Sequence, residues 1–433
     1  MIDSAKRFRV AFVTLGCKTN RYDAATVRNR LNKDDFVEVP FTSIADAYVV
    51  FTCTVTHIAD RQSRQFIYQA HKRNLEAAIV VAGCYPVVAS EEALLLEGVT
   101  HVIDSPESDR VLEVLYKLAK SSHGFTPESE FALTRFEDRS RPFLKIQDGC
   151  DNFCSYCIIP YTRGAPRSID ADTILKRLEA LAKSGYKEVV LSGITMGKWG
   201  VGLPGKQNFA GLLERIDKEA LIPRIRVSSV EPVDLTEEVI DIIAESKTIC
   251  EHLHIPLQSG CDSVLNRMNR PYETALYRER FKYASRRIAN LCWGADVIVG
   301  FPGESEEEFE ETYSFLESFG WQYLHVFPYS IRKGTPAATM PEQVPPQTSK
   351  ARAARLRDLS NKRKVQAAHD AIGQNLEVLV EVPAKAGSAA RCQSRNYFTV
   401  WIDNSSLEKN QVVSTRIKDV YNSTELLGET EQG

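Results

Sequence analysis

The chain of 433 residues lacks any uncharged apolar run of about 18 residues, so nothing in it is expected to span a membrane as a helix. Its opening, MIDSAKRFRV, leads straight into a strand pattern and lacks the apolar stretch of a secretory leader, and the expectation is a soluble, cytoplasmic protein. Neither sign of charge prevails. The 54 Lys and Arg against 57 Asp and Glu leave a formal charge of −3, so no global basic field draws in nucleic acid and a polyanion must be met by a local patch. Low-complexity tracts and short repeats are absent, and so is a GxGxxG dinucleotide fingerprint, which the GFPGE stretch from Gly300 does not supply. What the chain does have is ten cysteines. A disulfide framework suits short secreted chains, whereas this one is long and 43% hydrophobic, which favours metal ligation. Ordinary composition argues against disorder, and the length gives a prior of about three domains.

The first segment repeats one pattern: a β-branched run, a cysteine, a polar loop and an amphipathic stretch. RVAFVTLGC precedes TNRYDAATVRNRL, AYVVFTC precedes HIADRQSRQFIYQAHKR, and AAIVVAGC precedes SEEALLLEG. Continuous apolar strands alternating with helices predict an open parallel α/β domain over residues 6–123. From Arg141 the alternation resumes, with strand-like runs at FLKIQ, EVVLS, RIRVS, HLHIPL, ADVIVG and YLHVFPY. Six such units over residues 136–345 fit a partial (β/α)6 barrel better than an eightfold one. Ser305, followed by Glu306, Glu307 and Glu308, marks a helix start. Residues 346–368 read as a basic connecting helix, with seven cations facing one acid, Asp358, between Lys350 and Lys364. That run is either a local patch for a polyanion or a solvated linker. Residues 369–430 read as a small β-barrel of the oligonucleotide-binding kind.

Cys150, Cys154 and Cys157 form a C-x3-C-x2-C run in the loop after the first barrel strand. Zinc usually takes four ligands, and no Cys or His follows Cys157 nearby. Three thiolates suit an iron–sulfur cube with one iron left open, the signature of radical S-adenosylmethionine enzymes. Cys17, Cys53 and Cys84 each follow a separate strand of the N-terminal sheet. Parallel strands end on one edge, so these three converge where such sheets bind ligands, as a second open cluster site. Cys250, Cys261, Cys292 and Cys392 lack partners at ligand spacing and read as packing residues, and His252 and His254 read as wall residues of a strand.

TLGCKTN, FTCTVT, AGCYP, KIQDGCDNFCSYCIIPYTRG, LHIPLQSG, DVIVGFPGESEEEFEET and HVFPYSIRKGTPAA together resemble the methylthiotransferases, radical enzymes with an extra N-terminal cluster, over nearly the whole chain. The wording lies nearest the branch acting on threonylcarbamoyladenosine in tRNA. That resemblance implies methylthiolation of C2 of the modified adenosine beside the anticodon. It implies two 4Fe-4S clusters, one on Cys150, Cys154 and Cys157, the other on Cys17, Cys53 and Cys84. S-adenosyl-L-methionine would serve both as radical source and as methyl donor, and a reductant such as flavodoxin or ferredoxin would supply electrons. The tRNA anticodon stem-loop would be the macromolecular partner. Tyr156 and Gly193 would lie against S-adenosylmethionine, and Glu231 and Gln258 would contact ribose or substrate at the barrel mouth. The GFPGE turn would lie near bound adenosine. The C-terminal segment resembles a TRAM domain, with Arg391, Arg395, Tyr397, Phe398 and Arg416 offering phosphate contact and base stacking. The rival substrates are isopentenyladenosine tRNA and a ribosomal protein. A non-enzymatic iron–sulfur carrier would explain the cysteines alone, without the barrel or the C-terminal domain.

Overall fold

A computed structural model describes residues 7–105, 107–127, 131–136, 139–385 and 387–430. Residue 6, the expected start of the first domain, and residues 137 and 138, inside the expected second, lie outside the described residues. The chain divides into two compact units. One comprises residues 1–137, 148–165 and 330–338, and the other comprises 138–147, 166–329 and 339–433. The C-x3-C-x2-C loop therefore packs in the same unit as the N-terminal sheet.

In the first unit five parallel strands run in the order Phe36–Glu38, Phe8–Thr14, Ala47–Thr52, Ala78–Gly83, His101–Val102. Alternate side chains feed two cores. Val10, Phe12, Val49 and Phe51 face Val111, Leu112 and Leu115 on one side, and Ala11, Tyr48, Val50 and Val81 meet Ile67 and Ala70 on the other. Both faces are thus covered, which is why the strands read as unbroken apolar runs. The order reverses between Phe8–Thr14 and Ala47–Thr52, creating the switch point beyond whose carboxyl ends open α/β sheets bind ligands. Asn20 bridges that point, its amide donating to Leu15 O at 2.7 Å and to Thr52 O at 3.1 Å. The short strand Phe36–Glu38 and the helix Ser108–Leu118 complete the unit without having stood out in the sequence.

The second unit contains the six expected strands: Phe143–Lys145, Glu188–Ser192, Arg224–Val227, His252–His254, Cys292–Val299 and Tyr323–Pro328. All pair in parallel as two three-stranded sheets, which the bridges Ile225 to Ile249 and Ser229 to His254 join into one curved wall. Helices Ala171–Lys183, Phe209–Glu219, Glu237–Glu245, Thr274–Arg287 and Glu306–Glu317 link them. The last begins with a capping box between Ser305 and Glu308. The chain is thus an α/β protein with an open parallel sheet, a partial barrel and a C-terminal closed barrel of five strands. That barrel is built from Asn375–Val382, Ala390–Ser394, Thr399–Ile402, Glu425–Thr430 and Val412–Asn422, around a core that includes Val378, Cys392, Val400 and Ile417. Cys250, Cys261 and Cys292 are buried as well.

The helix Pro346–Asp370 departs in part from both sequence readings of its basic run. Arg352, 5% exposed, takes Glu304 at 2.8 Å and Glu306 at 2.9 Å, Arg355 pairs with Glu310, and Arg363 donates to Glu317 O. Arg352, Arg355 and Arg363 thus answer Glu304 and the acidic helix Glu306–Glu317 and clamp the long helix to the barrel, whereas Lys350, Arg357 and Lys362 stay exposed.

Candidate functional site

The strand ends of the first unit place three thiols together. Cys17 is the N-cap residue of the 13-residue helix Lys18–Arg30, and its side chain makes no cap hydrogen bond. Cys53 follows Ala47–Thr52, and Cys84 follows Ala78–Gly83. Burial pushes the Cys53 thiol up to about 11, with Cys84 and Cys17 adding to the rise and a backbone N–H at Val55 opposing it. Burial raises Cys84 too, against Arg163, while Cys17 adds to it. Cys53 thus feels both other members of the set, and Cys84 feels Cys17. Two glycines make the room. Gly16, at φ +84°, would place a Cβ 2.7 Å from the Cys53 sulfur, and Gly83, at φ +92°, would place one 2.4 Å from Thr52 O.

The second set is built by one loop. Cys150 N donates to Gly164 O at 2.9 Å and closes it, Cys157 N donates to Cys154 O at 2.9 Å, and the Cys150 sulfur accepts Asn152 N at 3.4 Å. At the neck Gly149, at φ +76°, would press a Cβ to 2.1 Å from Ala165 O. Both sets fit an iron–sulfur cube: three thiols each, glycine-cleared backbone, and N–H donors already directed at sulfur. Tyr156 lies half-buried in this loop.

Between the sets stands Arg163, 1% exposed. Its Nε donates to the Cys84 sulfur at 3.4 Å, and its Nη1 takes Asp23 at 2.7 Å and Asp148 at 3.3 Å. Burial opposes its charge, but Asp23, Cys84, Asp148 and Cys17 outweigh that and hold it well above the usual arginine range. Arg332 works nearby in the same unit, donating to Thr54 O at 2.9 Å and to Asp60 at 2.6 Å. Arg163, Asp23, Asp148 and Arg332 escaped the sequence reading. The available signal was their position: Arg163 and Asp148 flank the cysteine loop in KIQDGCDNFCSYCIIPYTRG, and Arg332 sits in HVFPYSIRKGTPAA.

The other candidates lie in the second unit. A Cβ on Gly193 would come 2.7 Å from Met196 and 3.1 Å from Gln147 O, so the strand end is drawn tight. The Gln147 amide oxygen accepts Ile194 N at 3.0 Å and Thr195 N at 2.8 Å there. The Glu231 carboxylate is taken by Arg270, a protein partner that the sequence did not suggest. Gln258 does not end a strand as expected: it lies four residues past His252–His254, bridged to Val297, in the left-handed region at φ +61°, a conformation that costs a non-glycine residue free energy. His252 and His254 both bond the Tyr323 hydroxyl, at 2.8 and 3.0 Å, and His254 and His325 both reach Asp296, at 3.0 and 3.2 Å. One hydrogen-bonded network thus joins His252, Tyr323, His254, Asp296 and His325.

The five C-terminal residues expected at RNA divide. Arg395 binds Glu251 at 3.0 Å and Ile249 O at 2.6 Å, Tyr397 stacks on His252 at 4.2 Å, and Phe398 packs against the barrel core. Arg395 and Tyr397 thus fasten the small barrel to the six-stranded wall, while Phe398 serves the small barrel's own core. Arg391 and Arg416 remain exposed.

The sequence comparisons agree with this architecture. The profile described as Radical SAM superfamily matches residues 144–316, and that of Uncharacterized protein family UPF0004 matches residues 9–104. A solved radical S-adenosylmethionine methyltransferase, TsrM from Kitasatospora setae, shares the fold at a TM-score of 0.57, with 12% identity over 77% of each chain. The chain is 38% identical to threonylcarbamoyladenosine tRNA methylthiotransferase MtaB of Bacillus subtilis, over 91% of this chain and 88% of that one. It is 37% identical to the MtaB of Aquifex aeolicus, over 86% and 92%. It is also 34% identical to tRNA-2-methylthio-N(6)-dimethylallyladenosine synthase of Carboxydothermus hydrogenoformans, over 86% and 88%. The fold and the cysteine loop define a radical S-adenosylmethionine enzyme; more narrowly, the chain belongs to the tRNA methylthiotransferase family of the MtaB type.

Proposed function

We propose that the chain places a methylthio group on C2 of N6-threonylcarbamoyladenosine next to the anticodon of tRNA. In this reading Cys150, Cys154 and Cys157 hold one 4Fe-4S cluster, and Cys17, Cys53 and Cys84 hold a second. The observation that carries it is the gathering of three sequence-distant thiols at the switch point of the sheet, in the same compact unit as the cysteine loop. When bound, the clusters and S-adenosylmethionine supply the radical, the sulfur and the methyl group that an unactivated aromatic C–H requires.

The protein's own part is placement. Each triplet leaves one corner of a cube free for a ligand that is not a side chain. Gly16 keeps the space beside the Cys53 sulfur free, Gly83 lets its strand end pass Thr52, and the raised thiols of Cys53 and Cys84 give up protons as a cluster assembles. Tyr156 of the cysteine loop and Gly193 at its strand end are each assigned to S-adenosylmethionine. Glu231, held by Arg270, and Gln258 meet the ribose or the substrate. Arg391 and Arg416 on the closed barrel meet the phosphates of the anticodon stem-loop. The setting is the cytoplasm, with flavodoxin or ferredoxin as electron donor; among the described residues no helix is long and apolar enough to cross a membrane.

The dimethylallyladenosine substrate is the second reading, favoured by the 34% identity to synthases of that name. Anaerobically reconstituted protein should be incubated with reductant, S-adenosylmethionine and tRNA carrying either modification, and the nucleosides weighed by mass spectrometry. The expected product is 2-methylthio-N6-threonylcarbamoyladenosine. Conversion of dimethylallyladenosine alone would overturn the assignment.

A further inference from the structure

We propose that Arg163 is a positioning residue that sets the electron affinity of the cluster on Cys17, Cys53 and Cys84. This rests on the two-cluster reading above. The guanidinium is 1% exposed, so water does little to screen its charge. Its Nε faces the Cys84 sulfur at 3.4 Å, while its Nη1 carries both carboxylates, so the donor edge is presented to the ligand and the acids hold it from another edge. The two acids come from the two cysteine sets. Asp23 lies on the helix that Cys17 caps, and Asp148 lies two residues before Cys150. One planar cation is thereby held at Nη1 by an acid from each set and aimed through Nε at a ligand sulfur, which the fork of arginine allows and a lysine point charge does not reproduce fully. A hydrogen bond to a ligand sulfur, with positive charge behind it, favours the reduced and more negative state of a cluster. Plain cavity filling would not need a charged group here. An uncompensated buried guanidinium is costly, and two buried carboxylates are spent to keep it.

The test uses full-length protein in which Cys150, Cys154 and Cys157 are all replaced by Ala, so that only the second cluster gives an electron paramagnetic resonance signal during redox titration. Arg163→Gln in this background should weaken electron uptake at least tenfold, a downward shift of about 59 mV for one electron. Arg163→Lys should stay within threefold of the parent, and Asp148→Asn should shift the other way. Identical midpoints for the parent and Arg163→Gln would overturn the proposal, as would loss of iron in Arg163→Lys as complete as in Arg163→Gln. A parent that binds no iron at all would instead refute the two-cluster reading, and the proposal with it.

Discussion

Two buried arginines, one in each compact unit, solve the same electrostatic problem in different ways. Arg226, 2% exposed, gives its donors to Glu188 at 2.8 Å, to Ser394 O at 3.0 Å and to Arg395 O at 2.8 Å, with the Tyr397 ring 5.2 Å away. Its partners are carboxylate, backbone and aromatic face, and together they weld the closed barrel to the six-stranded wall. Arg163 also has carboxylate partners but keeps its Nε for a sulfur atom. A cation whose donors all end on the scaffold is scaffold, whereas one that reserves a donor for a nucleophilic atom has been placed for chemistry.

Four substitutions press on that contrast. Cys84→Ala removes the sulfur that Arg163 faces, and methylthiolated nucleoside should fall at least a hundredfold while S-adenosylmethionine cleavage continues. Iron should drop from about eight to about four per chain. Retained product would place the chemistry elsewhere. Glu188→Gln leaves Arg224 and Arg226 without their buried counter-charge and should cost about 3–5 kcal/mol in denaturant melts, with iron content unchanged. Loss of iron in step with stability would dissolve the distinction between the two arginines.

The same carboxylate predicts a pH window. Burial opposes ionisation of Glu188, but Arg226, Arg224 and Arg141 outweigh it and bring its pKa from 4.5 down to about 2. A lowered carboxylate stabilises the fold above its unfolded value and loses that contribution as it is protonated. Acid melting should therefore deepen as pH falls from about 4.5 towards 2 in the parent, and Glu188→Gln should flatten that dependence. Tyr397→Ala removes the stack on His252 and should cost about 1–2 kcal/mol, leaving tRNA affinity unchanged. Smallest of all, Arg416→Gln should reduce the salt dependence of tRNA binding by about one phosphate contact at unchanged melting temperature.

The architecture was legible wherever one face or edge dictates residue type. The six barrel strands stand out as short apolar runs between helical stretches, and three cysteines in one grammatical position mark a shared edge because parallel strands end together. Arg163 was not legible, because its acids lie at Asp23, 140 residues away, and at Asp148, 15 away, and no local period links them. Arg395 and Tyr397 misled for a different reason. Basic and aromatic residues on a small barrel have one composition whether they meet RNA or a neighbouring wall, and only the wall's Glu251 and His252 reveal which. The basic helix misled likewise, since its counter-charges sit on Glu304, Glu306 and Glu310.

The five-stranded barrel is closed, with Val412–Asn422 paired to Asn375–Val382. Closure leaves no strand with a free row of backbone donors and acceptors. A nucleic acid arriving there cannot be held by main-chain pairing along an edge, and must be gripped by side chains on the rims and loops. In the proposed reading such a grip would recognise the shape and charge of a folded loop, not its sequence.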